Sequence, residues 1–374
     1  MSKNTDETTG IPMIFAATNK KFIESIPELT QEVAQGREWV KYGDDNLYCE
    51  YLWSLYNDVS TLKTIIDGTS DYITGDDVHC NIPGMEVQVN RRGDTMRDLI
   101  KWLSKDYEIY GGCAYEVVRN KNGKPAELNY IDFRYLRTDE HNQSFYYSKD
   151  YAKRWVRSSK VLVYPKYIQD GTDVNSIVYL KNTTSTPYPI PRYSGAIRAC
   201  EIERHIDDFH LSGLQNGFSA SYLINFLAGV PTDEQKAEIE KNVNEKFCGA
   251  GNSGRIMLNF AVSKENAATV QKLDVQDFGD KYQAAAKRSR EQIYCSMGAN
   301  PCLFGLVTEQ NGFSDVEFAA AFKLYNSTTI RSIQRTLIDS FDKVFGIKGS
   351  VTIDAFTFGN TNDQDSSIQE EQVS

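Results

Sequence analysis

Tyr110-Gly111-Gly112-Cys113-Ala114-Tyr115-Glu116-Val117-Val118 is where the chain changes its hydrophobic period from helical to strand-like. Upstream, Met96, Leu99, Ile100, Leu103 and Tyr107 recur at three- and four-residue intervals, which predicts a helix following Asp94. Downstream, Cys113 to Val118 and Leu128 to Ile131 read as strands on either side of Asn122-Gly123, a turn pair suited to positive φ. Further upstream, Val59, Leu62, Ile65, Ile66, Thr69 and Ile73 share one helical face. They predict a helix from Asp58, as its cap, to Gly75 as its end. More strand text follows at Ser144 to Tyr147, Arg154 to Val156 and Val161 to Tyr164. Thr186-Pro187-Tyr188-Pro189-Ile190-Pro191 closes this part, because prolines at alternate positions forbid a helix. The first half is therefore expected to be α+β, two helices followed by an antiparallel meander.

The second half has a different rhythm. Gly195 to Asn216 reads as helix, with Ile202, Ile206 and Phe209 on one face. A strand–helix–strand unit follows: Tyr222 to Leu227, a helix opened by the capping box Thr232-x-x-Gln235 and striped by Ile239, Val243 and Phe247, then Arg255 to Phe260. A helix from about Asp277 to Met297 ends at Gly298 and Asn300-Pro301. After a loop, Ser314-x-x-Glu317 opens a long helix to Phe345, with Ile330, Ile333, Leu337, Phe341 and Val344 on one side and a bend expected at Thr328-Thr329. Gly349 to Phe358 is strand-like, and the acidic stretch Gly359 to Ser374 is expected to be disordered.

The 374 residues suggest two to three domains of ordinary size. Hydrophobic residues make up 40% and charged residues 25%, enough to bury a substantial core. Forty-one Lys and Arg against 51 Asp and Glu give 41 − 51 = −10. A chain that grips nucleic acid through its phosphates needs the opposite surplus. The N-terminus lacks the apolar core of a signal peptide, and no apolar run approaches the ~20 residues of a membrane span. Seven scattered cysteines with no C-x-x-C fit reduced, buried thiols better than a disulfide framework.

Catalytic motifs fail on context. Gly249-Ala250-Gly251-Asn252-Ser253-Gly254 matches G-x-G-x-x-G but follows a helix and precedes a strand, the reverse of a dinucleotide cradle. No P-loop and no G-x-S-x-G nucleophile elbow is present. His205 and His210 are five apart on a helix and face different ways, and Cys295 and Cys302 have no histidine near them in sequence. The pairs Asp44-Asp45, Asp76-Asp77 and Asp207-Asp208 read as caps or solvated charges, or alternatively as metal ligands of a nucleic-acid-processing enzyme, with Asp44, Asp45 and Asp76 as its carboxylates. Neither a cofactor nor a resident metal is expected. Lys281, Lys287, Arg288 and Arg290 form a basic cluster on the 277–297 helix, either a solvated face or a surface that meets a neighbouring subunit or DNA.

In its order of parts the chain resembles the portal proteins of tailed double-stranded DNA bacteriophages, of the long-tailed type. The passages that carry the resemblance are Tyr110–Val118 with its Asn122-Gly123 turn, Leu214-Gln215-Asn216-Gly217-Phe218, Gly251-Asn252-Ser253-Gly254-Arg255, and Met297-Gly298-Ala299-Asn300-Pro301-Cys302-Leu303-Phe304-Gly305 before the long helix. The family usually has Val-Pro where this chain has Asn300-Pro301.

The resemblance implies a non-enzymatic ring of about twelve subunits at one capsid vertex, a conduit for DNA packaging and ejection. It implies an N-terminal arm (1–39), a wing (40–194), a stem helix (195–218), a clip (219–262), a connection and second stem helix (263–298), a tunnel loop (299–314), and a long helix and terminal strand (315–358). A short or absent crown and the acidic tail (359–374) complete the layout. The tunnel loop would present Thr308, Glu309, Gln310, Asn311 and Gly312 to DNA. Lys281, Lys287, Arg288 and Arg290 would face DNA or a neighbour. Glu234, Lys236, Glu240 and Arg255 of the clip would meet the terminase large subunit or the head–tail adaptor. The major capsid protein is the remaining implied partner, no membrane is involved, and the location implied is the virion after assembly in the bacterial cytoplasm. A polar loop with one acid and no base suits a duplex that must slide.

Overall fold

The computed structural model describes residues 29–34, 37–151, 161–215, 222–226, 232, 234–235, 256–260, 276–305 and 315–357. Three helices open the fold: α1 (Tyr48–Asp58), α2 (Ser60–Thr74) and α3 (Met96–Tyr110). The expected 58–75 helix is α2, but Asp58 does not cap it. Its N-cap is Val59, whose extended backbone breaks the chain between two helices, and Asp58 ends α1. The sequence reading omitted α1, although Tyr48, Cys49, Leu52, Leu55 and Tyr56 are buried at helical spacing. Gly75 ends α2 as expected, at φ +68°, and its N–H donates to the Asp71 carbonyl. Thr95 caps α3 in a full capping box with Asp98. All the apolar positions anticipated on α2 and α3 are buried.

The period change at Gly111-Gly112 is the junction of α3 with β2 (Gly112–Arg119). Gly111 is the left-handed C-cap of α3, at φ +81°. β2 is the central strand of an antiparallel sheet, flanked by β3 (Pro125–Ile131) and β7 (Asn175–Lys181). A second sheet is the meander β4 (Leu136–Thr138), β5 (Ser144–Tyr147) and β6 (Leu162–Pro165). The first half is thus α+β, but a meander describes only the second sheet. The sequence reading missed β7, which returns over a long connection to pair with β2. Its Ile177-Val178-Tyr179-Leu180 run is continuously apolar and carries no alternation. The expected strand at 154–156 lies outside the described residues.

In the second half, α4 (Ile197–Gln215) follows a 3₁₀ segment at Arg192–Ala196. β8 (Tyr222–Phe226) and β9 (Ile256–Phe260) pair in parallel, from Tyr222 opposite Ile256 to Phe226 opposite Phe260. A parallel pair requires a crossover, as the expected strand–helix–strand unit supplies. Half of its capping box is present, the Thr232 N–H donating to Gln235 Oε1 at 3.2 Å. The 239–247 stripe lies outside the described residues. α5 (Gln276–Met297) packs against α4, with Phe209 stacked on Tyr282 at 4.8 Å between ring centroids.

The long C-terminal helix consists of α6 (Asp315–Tyr325), a π turn at Asn326–Ile330, and α7 (Arg331–Phe345). The π turn contains the expected bend point, and the Ser327 and Thr328 hydroxyls donate back to the Leu324 carbonyl. Ile333, Leu337, Phe341 and Val344 of α7 are buried, and Ser340 meets the Tyr115 hydroxyl of β2 at 3.0 Å. β10 (Val351–Ile353) then pairs antiparallel with β1 (Val78–Cys80). No helix among the described residues is long and apolar enough to cross a membrane.

Candidate functional site

The last turn of α3 holds Glu108 and no basic residue, and Asp106 lies just before it. Carboxylates are disfavoured at this negative end of a helix, so each needs a specific partner. For Glu108, fully buried, that partner is Arg192. Arg192 Nη1 donates to both carboxylate oxygens at 3.0 and 3.1 Å. Its Nη2 donates to the Met297 carbonyl at 2.7 Å and to Thr329 Oγ1 at 3.3 Å. One guanidinium thereby joins α3, the C-terminal end of α5 and the π turn. Burial raises the Glu108 carboxyl against the opposing pull of Arg192. Beside this cluster the Tyr325 and Thr69 hydroxyls meet at 2.7 Å, tying the long helix to α2.

Asp106 accepts hydrogen bonds from the Tyr130 hydroxyl at 2.9 Å and the Phe133 N–H at 3.4 Å. Burial, reinforced by nearby Asp132, pushes its carboxyl well above the ordinary 3.8. From about pH 4 up to that raised value the folded chain keeps a proton the unfolded chain has released, so this group's contribution to stability falls as pH rises. Asp106→Asn, which keeps an acceptor there, removes a slope of up to about 1.4 kcal/mol per pH unit. Urea unfolding of both proteins from pH 4 to 8 checks it; a stability difference constant with pH would count against this assignment.

The same junction roots the loop between α5 and α6. Asn300 accepts from the Cys302 N–H, and a 3₁₀ turn at Pro301–Phe304 ends at Gly305, φ +78°. Phe304 packs among Tyr72, Tyr294 and Tyr325, while the Tyr72 hydroxyl donates to the Leu303 carbonyl at 2.7 Å. The loop's near root is therefore packed into this junction. Thr308, Glu309, Gln310, Asn311 and Gly312 themselves lie outside the described residues.

The base of α4 is clamped by its acids. Glu201 accepts from the Tyr51 hydroxyl at 2.7 Å and pairs with Arg204 at 2.8 Å, and Glu203 accepts from the Thr61 hydroxyl at 2.7 Å. Beyond this base, residues 207–211 of α4 are exposed. Lys287, Arg288 and Arg290 of α5 are exposed and form no ion pair among the described residues; Lys281 shares their helix. Glu234 is exposed near the capping-box residues, whereas Lys236, Glu240 and Arg255 lie outside the described residues.

The candidate metal carboxylates do not converge. Asp44 accepts from the Thr30 hydroxyl, Asp45 from the Leu47 N–H two residues on, and Asp76 from the distant Thr357 N–H, each a separate contact. Among the described residues no group of three His, Cys, Asp or Glu could hold a metal ion.

A family model described as phage portal protein matches residues 87–365, about three-quarters of the chain. The chain belongs to the phage portal protein family. No curated protein matches it in sequence. Among solved structures, the portal chain matches one from the virion of a native gene transfer agent particle, at 15% identity, 86% coverage of this chain, 87% of the other, and a TM-score of 0.50. It matches one from the neck of the native particle, computed with C12 symmetry, at 16% identity, 86% and 89% coverage, and a TM-score of 0.50. An HK97-family phage portal protein from Corynebacterium diphtheriae aligns at 9% identity, 86% and 97% coverage, with a TM-score of 0.46. The mixed helix-and-sheet architecture of the portal chain is thus one found in phage-like particles.

Sequence reasoning missed Glu108 and Arg192 because 84 residues separate them. The usable signal was local: an acid in the last turn of a helix, Glu108, followed at once by Ile109-Tyr110-Gly111-Gly112.

Proposed function

We propose that the chain assembles into a ring, of about twelve copies, that serves as the conduit for DNA entering and leaving the capsid. The family match over 87–365 carries this reading, and the C12 symmetry of the related neck supports the copy number. In this reading residues 40–194 form the wing and α4 with α5 the stem. The β8–β9 unit is the clip, with Glu234, Lys236, Glu240 and Arg255 toward the terminase large subunit and later the head–tail adaptor. The wing meets the major capsid protein. Residues 299–314 are the tunnel loop, and the finished ring resides in the virion after assembly in the bacterial cytoplasm. The chain acts without catalysis, since a conduit needs geometry and a weak hold on phosphate rather than a reactive group.

Electron microscopy of the purified protein tests the ring. Particles with a central channel about as wide as a duplex support it. A persistent monomer with Mg²⁺-dependent nuclease activity refutes it in favour of the carboxylate enzyme. Replacing Glu309–Gly312 by Gly-Ser is expected to impair DNA packaging or retention while leaving rings intact. Loss of assembly instead would exclude that loop from the tunnel.

A further inference from the structure

The α4–α5 pair leaves one face of each helix turned away from the other. At 100° per residue, the direction from α4 to α5 falls between Phe209 and His210, since both rings lie against Tyr282. Asp208 and Leu211 then lie about 150° to either side, on the face turned away from α5. Leu211 is 55% exposed, and Asp208 meets only His205, at 3.9 Å, among the described residues. On α5 the side toward α4 is marked by Tyr282, Ser289 and Ile293, the last two buried. Lys287 and Arg288 lie about 140° and 120° to either side of Tyr282, on the face turned away from α4, with Glu291 between them. Both cations are exposed and unpaired among the described residues.

A closed ring needs two different, complementary patches on each copy, one for each neighbour. Resting on the ring reading above, we propose that α4 of one copy docks on α5 of the next. Asp208 and Leu211 meet the partner of opposite charge at Lys287 and Arg288, and the apolar body of Leu211 lies against the stems of those two side chains. The pairing covers an exposed leucine and gives Lys287 and Arg288, unpaired among the described residues, an opposite charge. It also turns Lys287 and Arg288 toward protein rather than toward DNA, where exposed cations repeated in every copy would hold a duplex that has to move.

Charge reversal tests this on the full chain, with assembly followed by mass photometry and bound DNA by co-purification. Asp208→Lys, and separately Lys287→Glu with Arg288→Glu, should each raise the subunit concentration needed for half-assembly by about tenfold or more, because like charges then face each other. Combining all three should restore assembly. Reversals that leave assembly at the wild-type level overturn the interface, as does failure of the triple variant to recover. Normal rings with altered DNA retention in the Lys287→Glu, Arg288→Glu variant assign the cluster to DNA instead. A wild-type chain that never forms rings overturns the ring reading itself, a distinct result.

Discussion

Glu108→Ala is expected to lower the stability of the portal chain by about 3 kcal/mol, the low end of the cost of breaking a buried ion pair, because Arg192 keeps partial access to solvent. Arg192 cannot follow the loss by moving further into solvent, because its other nitrogen is held by the Met297 carbonyl and Thr329. The damage reaches beyond one contact, since the guanidinium is the shared partner of α3, the end of α5 and the π turn. Removing both charges, Glu108→Leu with Arg192→Met, should cost less than Glu108→Ala alone, because an apolar pair carries no desolvation penalty. Urea unfolding of the wild type and both variants checks this; a double variant less stable than the single would show that the bonds to Met297 and Thr329, rather than the ion pair, hold the junction.

Gly111→Ala should be comparably severe. Its backbone lies at φ +81°, where an L-residue costs about 1–2 kcal/mol. A Cβ would also sit 2.3 Å from the Ile190 carbonyl oxygen, a backbone atom that cannot step aside. Forcing the two segments apart adds about 1–3 kcal/mol, as overpacking of a well-filled interior does. Gly123→Ala supplies the comparison. It has a similar φ of +75°, but nothing lies within 4 Å of the new atom, so only the conformational cost remains. Thermal unfolding should show a clearly larger loss for Gly111→Ala; equal losses would remove the steric part of the argument.

What could be read directly from the sequence was whatever local periodicity encodes. α2, α3, β5 and the α5 helix follow from apolar spacing and caps, which are properties of neighbouring residues. β7 escaped because its Ile177-Val178-Tyr179-Leu180 run is apolar throughout and shows no alternation, and its partner β2 lies about sixty residues earlier in the chain. α1 escaped because Tyr48-Cys49-Glu50-Tyr51-Leu52-Trp53 is so rich in aromatics that no single stripe stands out. The Glu108–Arg192 junction escaped for a different reason: a contact made by tertiary folding has no period at all. Only the misfit of an acid at a helix C-terminus pointed toward it.

The pairing of β1 with β10 carries a consequence for synthesis. Val78 has Ile353 as its register partner, 275 residues later. A ribosome adding about 5–20 residues per second needs roughly 14–55 s to travel between them. Throughout that interval β1 is an edge without a mate, and α7, which fills the core beside Tyr115, has not been made. β1 and β10 can therefore pair only after residue 353 has been made, well after the strands of the β3–β2–β7 sheet are all in the chain.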